Sequence, residues 1–116
     1  MLPLSSIEVI EYRDARGVSL YSKWREGLDY DTRQRIATAV FRVQSGNFSV
    51  AKGVGKGVFE LRLDFGPGYR VYFGKDGDLL VVLLGGGSKK RQSADVKLAH
   101  LAWNEYKQSK RSGDLK

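Results

Sequence analysis

The spacing of hydrophobic and polar positions changes once along the chain, near its middle. Residues 7–13 alternate, with Ile7, Val9 and Glu11 on one side and Glu8, Ile10 and Tyr12 on the other, which predicts a first strand. Leu20, Tyr21, Trp24 and Leu28 recur at helical spacing and predict a helix over about residues 19–27. Ile36, Ala39, Val40 and Val43 form an i, i+3, i+4, i+7 stripe that predicts a second helix. Asp31 and Gln34 give that helix a capping-box-like start, and Ser45-Gly46-Asn47 stops it, with Gly46 free to take the left-handed conformation after the last turn. Two helices joined by a few residues make a helical hairpin.

The second half alternates with period two. Val58, Glu60, Arg62 and Asp64 face one way and Phe59, Leu61, Leu63 and Phe65 the other, the pattern of a strand with one buried face. Gly66-Pro67-Gly68 reads as a turn, residues 69–74 as the next strand, and Lys75-Asp76-Gly77 as a second turn. Residues 79–84 are apolar without alternation, as expected of a central strand covered on both faces. Three strands joined by tight turns make an antiparallel meander. The glycine run Gly85-Gly86-Gly87 and a basic segment follow, then Ser93 as an N-cap and Val96, Ala99, Trp103 and Tyr106 as the apolar stripe of a last helix. Asp95 is a favourable acid in its first turn. Residues beyond about 109 are polar and expected to fray. The predicted order is β-α-α-β-β-β-α: an α+β fold in which the N-terminal hairpin packs on one face of a small antiparallel sheet. A chain of 116 residues without internal repeats fits one domain, residues 1–116, with its core at about 6–107.

Composition narrows the chemistry. The chain has no cysteine, so a disulfide scaffold and a thiolate zinc site are excluded. With a single histidine, His100, a histidine metal site or a Ser-His-Asp triad has little to draw on. The longest apolar run, residues 79–84, falls far short of the ~20 residues that cross a bilayer, and no secretory signal is visible in Met1-Leu2-Pro3-Leu4-Ser5-Ser6. Lys and Arg number 20 against 13 Asp and Glu, a net +7. The excess lies in the second half: residues 1–50 carry net +1 and residues 51–116 net +6. Such asymmetry is the footprint of a polyanionic partner, nucleic acid or an acidic protein.

Four groups of residues stand out as candidate chemistry. Pairing about the midpoint of the Gly66-Pro67-Gly68 turn sets Phe65 opposite Tyr69 and Arg62 opposite Tyr72, so Arg62, Arg70 and Tyr72 share the outward face of the meander. Arginine neutralises phosphate bidentately and a tyrosine stacks on a base or handles a proton; the alternative is a solvated face whose arginines pair with Glu60 and Asp64. Lys89, Lys90, Arg91 and Gln92 follow the central strand, either as loosely tethered phosphate contacts or as a solubilising charge run. Lys52 and Lys56 lie in a glycine-rich basic loop that lacks Walker spacing, because Lys56 precedes Gly57 and no hydroxyl follows; nucleotide binding is rejected there and an RNA-backbone contact is left open. His100 sits mid-helix beside the apolar stripe and reads as structural, as do Trp24 and Trp103.

The segment from Gly57 through Glu60-Leu61-Arg62 to Gly66-Pro67-Gly68-Tyr69-Arg70-Val71-Tyr72-Phe73 resembles the RelE/ParE superfamily of bacterial toxins, and more narrowly its HigB-like addiction-module-killer branch. Leu83-Leu84-Gly85-Gly86-Gly87-Ser88-Lys89-Lys90-Arg91-Gln92 with Asp95-Val96, and Gly46-Asn47-Phe48, fit the same pattern. The resemblance implies a cytoplasmic type II toxin restrained by a cognate antitoxin. It implies a ribosome-dependent mRNA endonuclease that needs no metal or cofactor and acts by attack of a ribose 2′-OH on the adjacent phosphate. Carried across, Arg62 and Arg70 bind the scissile phosphate, Tyr72 stacks on or orients a base, and Lys89 and Lys90 contact the transition state or ribosomal RNA. Lys52, Lys56, Arg91 and Gln92 would support RNA binding, Gln92 by fixing its segment. The partners implied are the antitoxin, the ribosome with its mRNA, and operator DNA through the antitoxin complex only. Many relatives place a histidine or tyrosine near the C-terminus as general acid or base; here the only histidine is His100, near the buried side of its helix. The alternatives are a ParE-like inhibitor that binds DNA gyrase without cutting RNA, and an inactive relative that keeps antitoxin binding. Arg70 is expected to be exposed, so that its truncation leaves folding intact.

Overall fold

The computed structural model describes residues 7–111. Strand β1 (Glu8–Glu11) leads into helices α1 (Leu20–Glu26) and α2 (Tyr30–Gln44). Strands β2 (Ala51–Gly53), β3 (Val58–Leu63), β4 (Tyr69–Lys75) and β5 (Leu80–Ser88) follow. A 3-10 turn (Lys89–Arg91) then runs straight into helix α3 (Gln92–Arg111). The five strands form one mixed sheet in the order β1-β5-β4-β3-β2.

The wholly antiparallel sheet expected from the sequence is thus corrected. After the hairpin crosses the sheet, the chain enters at the far edge through β2, a short strand within what reads as a basic loop. Antiparallel steps then bring β5 back beside β1, in the same direction, with Glu8 opposite Leu80 and Glu11 opposite Leu83.

Local chemistry explains the helix ends. The Ser19 side chain accepts from the Ser22 amide at 3.0 Å and starts α1. Asp29, not Asp31, caps α2: its carboxylate accepts from the Thr32 amide at 3.3 Å and the Thr32 hydroxyl at 2.6 Å. At the other end Gly46 has φ +93° and the Asn47 amide reaches back to the Arg42 carbonyl at 2.9 Å, the closure expected of a left-handed stop. Ser93 lies inside α3 rather than capping it, because the preceding 3-10 turn already delivers the chain in helical form. Residues 110 and 111, expected to fray, are helical, since α3 continues through Arg111; the rest of the expected tail, residues 112–116, lies outside the described residues.

Each face of the sheet has its own core. Under the hairpin, Tyr21, Ile36 and Val43 pack with Leu61, Leu63, Val71, Phe73, Val81 and Leu83. Under α3, Ala99, Ala102 and Trp103 pack with Val58, Tyr72, Val82 and Leu84. Each buried Val, Leu, Ile or Phe side chain among them contributes on the order of 1.5–3 kcal/mol through burial. The glycine run, expected to follow the central strand, belongs to β5 itself. Gly86 lies directly against the Trp24 ring and Gly87 against the Asp95 carboxyl, approaches that a Cβ would block. Likewise a Cβ on Gly74 would stand 2.6 Å from the Trp103 ring. Among the described residues, no helix is long and apolar enough to cross a membrane.

Candidate functional site

The site follows from how far α3 reaches. Its apolar stripe covers one half of its sheet face and leaves the other half, at the β3–β4 turn, to polar side chains. The β3–β4 register sets Arg62 opposite Arg70 and Glu60 opposite Tyr72, two residues along β4 from the register expected from the turn. The link is centred on Gly66, with Leu63 paired to Tyr69, because both Gly66 (φ +57°) and Gly68 (φ +75°) take left-handed conformations.

Glu60 is the hub, fully buried. The Gln92 side-chain amide donates to its Oε2 at 2.5 Å, the Tyr72 hydroxyl to Oε2 at 3.4 Å, and Arg62 Nε to Oε1 at 3.2 Å. Arg70 Nε stands 3.5 Å from Oε2, at ion-pairing distance but without hydrogen-bond alignment. Every neighbour is a donor, the surroundings of an acceptor-only carboxylate. Removing one partner of a buried ion pair costs about 3–5 kcal/mol, since the other charge stays uncompensated.

Arg70 is itself buried, its side chain 8% exposed, which corrects the expectation that it projects freely from the sheet. Its Nη1 donates to the Gly68 carbonyl at 2.6 Å, so the guanidinium is locked between the turn and Glu60. Gly68 leaves room for this: a Cβ there would meet Arg70 Nη1 at 3.0 Å and the Lys89 Cβ at 3.3 Å. The Lys89 amide reaches the Pro67 carbonyl at 3.3 Å, tying the 3-10 turn to the hairpin. Arg62, by contrast, has a side chain 45% exposed. Arg62, Arg70 and Lys89 therefore line one shallow groove of about 520 Å³ along the turn, with Asp64 as its acid.

Tyr72 does not enter that groove. The ring is fully buried and cannot stack on a base, which corrects the role expected of it. Burial first, and the Glu60 carboxylate second, push its phenol well above the usual tyrosine range, so it holds its proton as a donor to Glu60.

The remaining candidates do not line that groove. Lys90 and Arg91 are exposed, and Arg91 Nε lies 3.8 Å from Asp95 Oδ1. Lys52 is exposed on β2 opposite Glu60. Lys56, at φ +55°, borders a separate hollow with Gln92, Lys97 and His100. His100 Nε2 lies 3.0 Å from the Val54 carbonyl, so that nitrogen carries the proton and pins the loop before β3. Asp95 has one carboxyl oxygen buried without a hydrogen-bond partner, and burial raises its pKa although Arg91 pulls it down.

Sequence reading missed Glu60 as the organiser and treated it as a surface counter-ion. The available signal was a carboxyl flanked by Phe59 and Leu61 in mid-strand, on the same face as Arg62.

Residues 23–107 match the family described as phage-derived protein Gp49-like (DUF891). The match takes in both helices of the hairpin, apart from the start of α1, strands β2 to β5 and most of α3. The chain is also 45% identical over 73 residues to an uncharacterized protein of Haemophilus influenzae, a span covering 63% of this chain and 74% of the relative.

Proposed function

Because the chain belongs to the Gp49-like family, a toxin–antitoxin-associated family whose members are often toxins, we propose that it is the toxin of such a module and acts as an endoribonuclease on ribosome-bound mRNA. The observation that carries this reading is the convergence of Arg62, Arg70 and Lys89 on one groove, with both guanidiniums held by buried Glu60.

Arginine forks held in place before the substrate arrives suit a phosphate whose charge grows in the transition state, because no reorganisation is then needed. The 2′-oxygen of a ribose attacks the adjacent phosphorus as its proton leaves to a base. The P–O5′ bond breaks, O5′ takes up a proton, and a 2′,3′-cyclic phosphate and a 5′-hydroxyl result. Arg62 and Arg70 bind the non-bridging oxygens, and Lys89 adds charge at the rim. Tyr72 is out of reach and stays protonated, so proton transfer falls to groups lining the groove, Lys89 and Asp64. One preorganised arginine contributes on the order of 3 kcal/mol, or 10²–10³ in rate.

The reading places the protein in the cytoplasm, with the ribosome and its mRNA as target and an antitoxin as inhibitor. A second reading, a protein-binding inhibitor of DNA gyrase, is favoured by exposed Leu98 and Leu101 on α3. The purified chain is added to ribosomes programmed with a defined mRNA and, separately, to gyrase with relaxed plasmid. Fragments with cyclic-phosphate ends and unimpaired supercoiling support the first reading; intact mRNA with blocked supercoiling overturns it in favour of the second.

A further inference from the structure

A second groove, of about 460 Å³, runs between α2 and the edge of β3. Arg35 and Arg42 line it from the helix, and Arg62, Asp64 and Phe65 from the strand. Those last three residues also line the groove along the turn, so the two depressions meet at a shared wall. β2 pairs only with residues 59–61 of β3, so no strand shields the stretch from Arg62 to Phe65 on this side.

Neither Arg35 nor Arg42 is in an ion pair among the described residues, in contrast to Arg62 and Arg70. The Arg35 guanidinium instead lies 4.8 Å over the centre of the Phe65 ring, which holds its plane at the shared wall. Asp64 is the one acid among the three arginines, so the groove keeps a net positive charge.

We propose that this groove is a binding track for single-stranded RNA flanking the cleaved position, with Arg35 and Arg42 each taking a backbone phosphate. The inference rests on the ribonuclease reading for its choice of polyanion. A strand whose scissile phosphate lies between Arg62 and Arg70 must leave the turn groove somewhere, and the adjoining groove, across the shared wall at Phe65, offers Arg35 and Arg42. Arginine suits the task because its fork grips phosphate oxygens while its face stacks on a base.

The test uses a fluorescein-labelled twelve-nucleotide RNA with 2′-O-methyl groups, which keeps the phosphates and blocks 2′-OH attack. Binding is followed by anisotropy between 50 and 200 mM salt. Compared with wild type, Arg35→Gln/Arg42→Gln is expected to bind about tenfold more weakly at the low-salt end, with the log–log salt slope smaller by about 1.4, the value for two phosphate contacts on a single strand. Arg13→Gln/Arg16→Gln, an equal charge change outside the groove, is expected to lose less than twofold. Equal losses in the two double variants, or no binding by wild type, overturn the proposal. So does a polyglutamate peptide of equal charge that binds wild type as tightly as the RNA and shows the same dependence on Arg35 and Arg42, since the groove would then be an acidic-peptide site. Wild-type binding of the methylated RNA without any cleavage of ribosome-bound mRNA would sink the ribonuclease reading and leave the track standing.

Discussion

The two faces of the sheet are built on different terms. The face under the helical hairpin is apolar from Ile7 to Phe73, and its fit depends on shape. The face under α3 is apolar only where Trp103, Ala99 and Ala102 cover it; beyond their reach it holds Glu60 with four donors around it. A carboxylate in mid-sheet adds nothing to a core that leucine would not supply at lower desolvation cost. Its geometry makes sense as a device for holding two arginines along one groove, Arg62 half exposed and Arg70 nearly buried at its lining. One face carries stability, and half of the other spends some of it on a site.

Substitutions that treat the faces differently sharpen this contrast. The largest effect is expected at the polar hub. Glu60→Ala should destabilise by about 3–5 kcal/mol by leaving Arg70 buried and uncompensated, read from urea unfolding; a loss below about 1 kcal/mol would mean that Glu60 is not the anchor. On the apolar cores, Ile36→Ala and Trp103→Ala should each cost about 3 kcal/mol from lost burial and a cavity. Ile36→Val should recover most of the first loss, whereas Glu60→Gln, equally conservative in shape, should recover little of the hub's. Superimposable melting curves for Trp103→Ala and wild type would show that α3 is not docked.

A smaller effect is expected at Asp95. Burial raises its folded pKa, so the folded state holds the proton more tightly than the unfolded chain does. The associated stability is present at low pH and is lost as pH rises through the unfolded and then the folded value. Asp76 shifts the opposite way, held low by Lys110 and Tyr106, but equally in both proteins. The melting temperature of Asp95→Asn relative to wild type should therefore rise between pH 4 and pH 8; a flat difference would contradict this. The mildest change at the hub belongs to Arg62→Ala, about 1 kcal/mol, because that side chain is half exposed and Arg70, Tyr72 and Gln92 still face Glu60 Oε2 when Oε1 loses its donor.

Much of the architecture was legible from period and punctuation. The strands of the meander, the three helices, Gly46 as a stop and Trp103 as an anchor all follow from alternation, apolar spacing and turn residues. The misses share a cause, since each was decided by a contact remote from the local pattern. Asp31 reads as the start of α2 until the Thr32 hydroxyl is found on Asp29. Gly85-Gly86-Gly87 reads as lying beyond the central strand until Trp24 and Asp95 are found against Gly86 and Gly87. β2 is three residues long and carries no alternation to detect. The site turns on register. With the turn centred one residue too late, Arg62 faces Tyr72 and Glu60 is left at the surface; in the observed register Glu60 meets Tyr72 beneath Gln92 and becomes the hub. Tyr72 and Arg70 were placed on the right face but at the wrong depth, because the reach of α3 is not written in β3 or β4.

The most direct test compares mRNA from cells given a short pulse of wild type or of Arg62→Ala, using primer extension. Arg62 is chosen over Arg70 because truncating it leaves the buried hub paired and the protein folded. New 5′ ends inside translated codons with wild type, reduced at least a hundredfold with a stably folded Arg62→Ala, are the result expected here. Equal cleavage by both proteins, or growth arrest by wild type with mRNA intact, would contradict the claim that this half-face is a phosphate-cleaving site.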